Sequence, residues 1–183
     1  MEFYSQSRFS NWISKIAETE LDENNPETFA VFDQMLEDVI IACLSMVRAV
    51  KEREIKKADA VKEIERIFEI LPNHDFSDEL KNELFQYTLE SIKAVLQSFK
   101  LYFEGKISKK NFDRLLKDAL KEEQKGDYEA SLNAVALMGA KVIKGEQLPE
   151  LDVPEESAII SWIDGIDAIS SVIELSKIDA STE

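Results

Sequence analysis

The chain has 183 residues, a net charge of −15, 44 % apolar residues, five Gly, four Pro and one Cys. That is enough apolar sequence for one packed domain, so wholesale disorder is excluded. Nucleic-acid binding in general is disfavoured, because it requires basic surface to release phosphate counterions. A disulfide framework and a CxxC metal site are excluded by the single thiol.

The elements read as helical throughout, because apolar residues recur at steps of three and four and no strand-like alternation appears. "MEFYSQSRFSNW" lacks the basic start and apolar middle of a signal peptide. The first helix is predicted over about 7 to 19, with Phe9, Trp12, Ile13 and Ile16 on one face. "DENNPET" interrupts the chain, with Asn25 as N-cap and Pro26 at the first helical position. A second helix from Pro26 to Arg53 carries Phe32, Leu36, Val39, Cys43, Val47 and Val50 along one stripe. It would be roughly 40 Å long and is expected to be central. Cys43 lies within "VIIACLSMV" and reads as a small core residue.

A third helix is predicted from Lys57 to Leu71, stopped by Pro72. The fourth, capped by Asp75 or Ser77, runs to Phe103 on a stripe of Leu80, Leu84, Leu89, Ile92, Leu96 and Phe99. The fifth spans Ser108 to Gln124, and Gly126 suits its left-handed stop. The sixth is capped by Asp127 and ends at Gly145. After "EQLPELDV", Pro154 is expected to open a last helix to Lys177. The predicted fold is therefore an all-α, single-domain bundle of about seven helices over 1–178, with 179–183 as a frayed tail.

"VKEREIKKADAVKEIERIF", from Val50, aligns without gaps on "YFEGKISKKNFDRLLKDAL", from Tyr102, so that Ile55 falls on Ile107. Each copy is a long helix, a charged turn, that isoleucine and a shorter helix. This predicts two similar αα-hairpins with the isoleucines buried as plugs. "VIKGEQL", from Val142, resembles a third such turn. The second copy also resembles part of a calcium loop. With Gly105 at the sixth position, however, the ligand positions fall on Lys100, Tyr102, Glu104 and Asn111. A lysine and a tyrosine do not build an oxygen cage, so a turn is predicted and no metal.

Other chemistries fare no better. The one histidine, His74, cannot make a ferritin-like di-iron centre or a His-rich zinc site. It reads as solvated or capping. All-α nucleotide pyrophosphohydrolases use paired carboxylates and magnesium on facing helices. Glu20 and Glu23 have one such spacing but sit in a loop, and Asp164 and Asp167 read more simply as a solvated stripe. No phosphate loop or nucleophile elbow appears. No catalytic, cofactor-binding or metal residue is predicted.

The charge is uneven. Residues 18–38 hold eight Asp/Glu and no Lys/Arg, and 146–183 hold ten Asp/Glu against Lys177. The middle, 48–125, has 17 basic and 16 acidic residues. Acidic surface favours solubility and suits a basic protein partner. The last helix, with Ile159, Trp162, Ile163, Ile166, Ile169 and Val172, carries more apolar surface than a one-sided helix needs. Trp162, Ile166 and Ile169 are accordingly expected to form part of an interface.

"FYSQSRFSNWISKI" followed by "FDQMLEDVIIACLSMVRAV" resembles the start of an uncharacterised archaeal family, domain of unknown function 2150 (DUF2150), from the first residues to about Ile70. Its pattern is an aromatic–Arg–x–x–Asn–Trp segment and then an acidic helix start rich further on in Ala and Val. The resemblance implies an archaeal cytoplasmic protein and supplies no catalytic residues. The expected function is a non-enzymatic helical interaction or adaptor module, self-associating or docked on a protein partner, without membrane or nucleic acid. The alternative is a magnesium-type all-α hydrolase acting on a phosphorylated small molecule.

Overall fold

A computed structural model describes residues 1–181. Its order is α1 (Gln6–Glu18), a 3₁₀ turn (Pro26–Phe29), α2 (Ala30–Lys51), α3 (Lys57–Glu69), α4 (Glu79–Phe103), α5 (Phe112–Gln124), α6 (Tyr128–Lys144) and α7 (Ile160–Ser181). The all-α expectation holds. The one β-type pairing among the described residues is an isolated bridge between Asp22 and Asn25. α7 continues through residues expected to fray, and 182–183 of that expected tail lie outside the described residues.

Several boundaries differ from expectation, each for a local reason. Asn25 makes no side-chain cap, and Pro26 opens a 3₁₀ turn rather than α2 itself. Asp78 caps α4 by accepting from the Lys81 amide, at 3.1 Å. Asp75 is occupied instead by the Asn82 side-chain amide, at 2.8 Å. α5 starts at Phe112 because Asn111 takes the cap, accepting from the Arg114 amide at 2.9 Å. α7 starts at Ile160, not Pro154. The Glu123 carboxylate on α5 accepts from the Ser157 hydroxyl at 2.7 Å and the Ala158 amide at 2.6 Å. That tie holds the chain in a turn before the helix opens, and it places a negative charge at the start of α7.

The centre of the bundle is α4, not α2. α6 and α7 lie along it, and α2 and α3 also pack on it. Phe85, Leu89, Ile92, Val95, Leu96 and Phe99 are buried, but so are Thr88, Ser91 and Ser98. In the bundle these hydroxyls donate to their own helix: Thr88 to the Leu84 carbonyl at 2.8 Å, Ser98 to the Ala94 carbonyl at 2.7 Å. Their small size also lets neighbours approach. Gly165 of α7 sits so close that an added Cβ would lie 2.5 Å from the Ser91 carbonyl oxygen. The Ser91 hydroxyl donates across that contact to the Ser161 carbonyl at 2.7 Å. Gly139 of α6 meets Ser98 in a similar manner two turns further along α4.

The two turns that the internal alignment pairs share their backbone geometry. Arg53 and Gly105, which the alignment pairs, both adopt left-handed backbone, with φ of 62° and 74°. Both turns close with the same bonds. Glu54 N–H reaches the Ala49 carbonyl and Lys106 N–H the Leu101 carbonyl, each at 2.9 Å. These are Schellman caps, which satisfy carbonyls a helix end leaves open. The same cap ends α5, where Gly126 is left-handed and Asp127 N–H bonds the Glu122 carbonyl at 3.0 Å, and α6, where Gly145 is left-handed and Glu146 N–H bonds the Lys141 carbonyl at 3.0 Å, so the closure is shared by helix ends inside and outside the repeat. The plugs need correction. Ile55 and Ile107 are both half-buried rather than buried, because the turns lie at the bundle's end and solvent covers one side.

Candidate partner-docking groove

The N-terminal segment is built first, since it fixes one end of α2. Tyr4, Arg8 and Trp12 follow at steps of four and share a side of α1 or its approach. All three converge on Asp38 of α2. The Tyr4 hydroxyl and the Trp12 indole N–H each donate to it at 2.9 Å, and the Arg8 guanidinium reaches it at 2.5 Å. Burial raises the Asp38 carboxyl's pKa, but the hydrogen bonds from Trp12, Arg8 and Tyr4 outweigh it, so the net shift is downward. Burial, with the Asp38 charge adding to it, raises the Tyr4 phenol instead. Glu63 repeats the scheme for the preceding residues, accepting from the Phe3 amide at 2.8 Å and from Arg66. The aromatic–Arg–Trp segment is thus a clamp that docks the first residues onto α2 and α3, and its polar groups are occupied with one another.

Trp162, Ile166 and Ile169 lie inside the chain's own core. Ile166 and Ile169 are fully buried and Trp162 is 6 % exposed, with its indole N–H donating to Glu90 at 2.9 Å. Within the single chain they leave little or no surface for the interface expected of them. The breadth of the apolar stripe reflects a helix packed on both α4 and α6. Cys43 is fully buried, and burial raises its thiol pKa, which suits packing and not nucleophilic attack. His74 is exposed, its ring edge-on to Phe76 at 4.5 Å.

What α7 does expose lies one face round. Ala168, Val172 and Leu175 are spaced four and three apart, and Leu175 is 58 % exposed. They line a groove of about 400 Å³ between α7, the first turns of α2 and the first half of α4. Its base includes Phe32 and Leu36 of α2, both buried. Its rim carries Asp33 and Glu37 from α2 and Asp164 and Asp167 from α7, all exposed. Among the described residues, no lysine or arginine lines it. Tyr87 of α4 stands between the walls and donates to the Asp164 carboxylate. Burial and that bond raise the Tyr87 phenol's pKa.

Sequence patterning singled out Asp164 and Asp167 only as a solvated stripe, and gave no sign of Asp33, Glu37 or Tyr87 as their neighbours. The i, i+3 and i, i+4 spacings were visible. The pairing of α2 with α7, from opposite ends of the chain, was not. Among the described residues, no three Asp, Glu, His or Cys side chains come together as ligands of a metal would. Glu20 and Glu23 belong to the loop before α2, outside any such set.

A family model described as an uncharacterized protein conserved in archaea (DUF2150) matches residues 2–180. The chain belongs to the DUF2150 family. The resemblance carried by the N-terminal clamp thus extends over nearly the whole molecule. Comparison with curated proteins and with solved structures gave no match. No helix among the described residues is long and apolar enough to cross a membrane.

Proposed function

We propose that this DUF2150 chain is a non-enzymatic interaction module that seats an amphipathic helix of a protein partner, rich in Lys or Arg, in the α2/α4/α7 groove. The carrying observation is the groove's composition: an apolar base and stripe under four rim carboxylates, with no cation among the described residues that line it. In helix-in-groove recognition the bound helix lays its apolar face into the groove, and Ala168, Val172 and Leu175 offer that face an apolar wall. From Asp164 to Leu175 the α7 wall is about 16 Å long at 1.5 Å per residue, some three turns of a facing helix. Like charges crowded on the rim repel one another. A basic helix relieves that repulsion and is steered by it. A second copy of the chain is the poorer occupant, since each copy carries −15. The hydrolase alternative gains nothing from the rim, whose carboxylates form two rows rather than one converging set. The same reading takes the protein to act in the cytoplasm.

The test is fluorescence anisotropy with a labelled Leu/Lys amphipathic helical peptide and a Leu/Glu peptide of identical apolar face. The Lys peptide should bind, and more weakly as salt rises. The D33N/E37Q/D164N/D167N variant should bind it about tenfold more weakly, roughly 1.4 kcal/mol. Equal binding of both peptides, or no effect of the variant, overturns the proposal. A dimer in light scattering that Leu175→Asp dissolves would assign the groove to a second copy and overturn it as well.

A further inference from the structure

At the opposite end of α2 from the groove, a recess of about 350 Å³ opens where the turn after α4 meets the last turns of α2 and α6. Its floor is apolar. Val47 and Phe103 are buried there, and Val50 and Ile107 are half-buried. Lys51, Lys57 and Lys144 stand around the mouth, all exposed, beside the half-buried Tyr102. Among the described residues, no carboxylate lines it. The acids nearest in sequence are held by other cations: Glu52 by Arg48, Glu104 by Lys106 and Glu146 by Lys141. Glu54 and Asp59 line a different cavity, on the α3 side.

In a chain with 37 Asp/Glu and 22 Lys/Arg, three lysines around one recess without an acid call for a cause. Helix dipoles account for two of them. Lys51 and Lys144 end α2 and α6, where a cation is favoured. Lys57 opens α3, where the same dipole disfavours a cation. The third charge is there against the local helix dipole, on the same recess as the first two.

We propose that this recess binds a small soluble anion with an apolar body. The lysines take a phosphate or carboxylate head, and Val50, Tyr102 and Ile107 cover the aliphatic or aromatic remainder. An inorganic anion would leave the apolar floor wet, and a neutral apolar molecule would leave three like charges uncompensated. An anionic membrane is the poorer source of such a head, because a chain of net charge −15 is repelled by it. The site is independent of the groove and stands whether or not a partner helix binds there.

The experiment is a ¹H–¹⁵N NMR titration of the full chain with 1-naphthyl phosphate, 1-naphthol and inorganic phosphate. The naphthyl phosphate should shift the amides of Lys51, Gly105, Ile107 and Lys144 most, and bind at least about tenfold more tightly than either part alone. K51Q/K57Q/K144Q should lose about tenfold or more in affinity with its melting temperature kept. K109Q/K117Q/K121Q, which removes exposed lysines outside the recess, should bind as wild type. Equal loss in both triple variants, equal binding of naphthol, or shifts spread over the lysines at large overturns the proposal. So does pelleting with phosphatidylglycerol vesicles, abolished by K51Q/K57Q/K144Q, in a protein that does not bind naphthyl phosphate.

Discussion

Gly165→Ala tests how closely α7 is held on α4. In an open helix the change would stabilise by about 0.8–1.0 kcal/mol, the difference in helix propensity. Here the new Cβ would lie 2.5 Å from the Ser91 carbonyl oxygen and 3.1 Å from its carbon. Backbone cannot rotate out of the way as a side chain can, so the two helices must part. That strains the Ser91–Ser161 bond and loosens Ile166 and Ile169, both fully buried on the same helix. Overpacking costs about 1–3 kcal/mol, and a backbone obstacle belongs in the upper half of that range. Set against the propensity gain, the net effect is a loss of about 1–2 kcal/mol, or roughly 2–8 °C in melting temperature for a chain of this size. Urea and thermal unfolding followed by circular dichroism would measure it. Gly139→Ala provides the internal contrast, because there the obstacle is the Ser98 side chain, its Cβ at 2.5 Å. S98G should rescue G139A to within about 1 kcal/mol of wild type, whereas S91G should not rescue G165A, since the carbonyl remains. A G165A protein as stable as wild type, or more so, refutes the close approach.

Further outcomes are expected at two places. Asp38→Asn should destabilise by about 1–3 kcal/mol, because an amide nitrogen now faces donors in a half-buried site; and since Asp38 and Glu63 have lowered pKa values in the fold, their contribution is present above the ordinary carboxylate range near pH 4 and is lost as pH falls through the folded values, so urea unfolding across that range should show a shallower acid-side loss in the variant. At the repeated turns, Gly105→Ala should cost about 1 kcal/mol of backbone strain alone, as nothing lies within 4 Å of the added atom; Arg53→Gly should relieve a similar strain at φ 62° and raise the urea midpoint, and a loss there would mean the Arg53 side chain contributes more than its backbone costs.

The sequence alone carried the helical class, the helix count and the three similar turns, because those depend on local periodicity and on Gly, Pro and Asn chemistry. Its internal alignment even located Arg53 as the counterpart of Gly105, and both are left-handed, at φ 62° and 74°. Helix ends were less legible. Where α7 starts depends on Glu123, far back on α5, and no local signal reports it. The identity of the central helix was hidden for a similar reason. Ser91 and Ser98 are polar letters, yet small hydroxyls that donate to a backbone carbonyl, Ser98 to Ala94 of its own helix and Ser91 to Ser161 of α7, are cheap to bury and let glycines close in. Trp162, Ile166 and Ile169 show the converse, since a broad apolar stripe marks a helix covered on two sides as readily as one with a side to spare. Only packing decides which of these holds. The groove and the lysine recess are tertiary products throughout: charges from α2 and α7, or from the ends of α2, α3 and α6, become neighbours when burial of the apolar stripes brings their helices together.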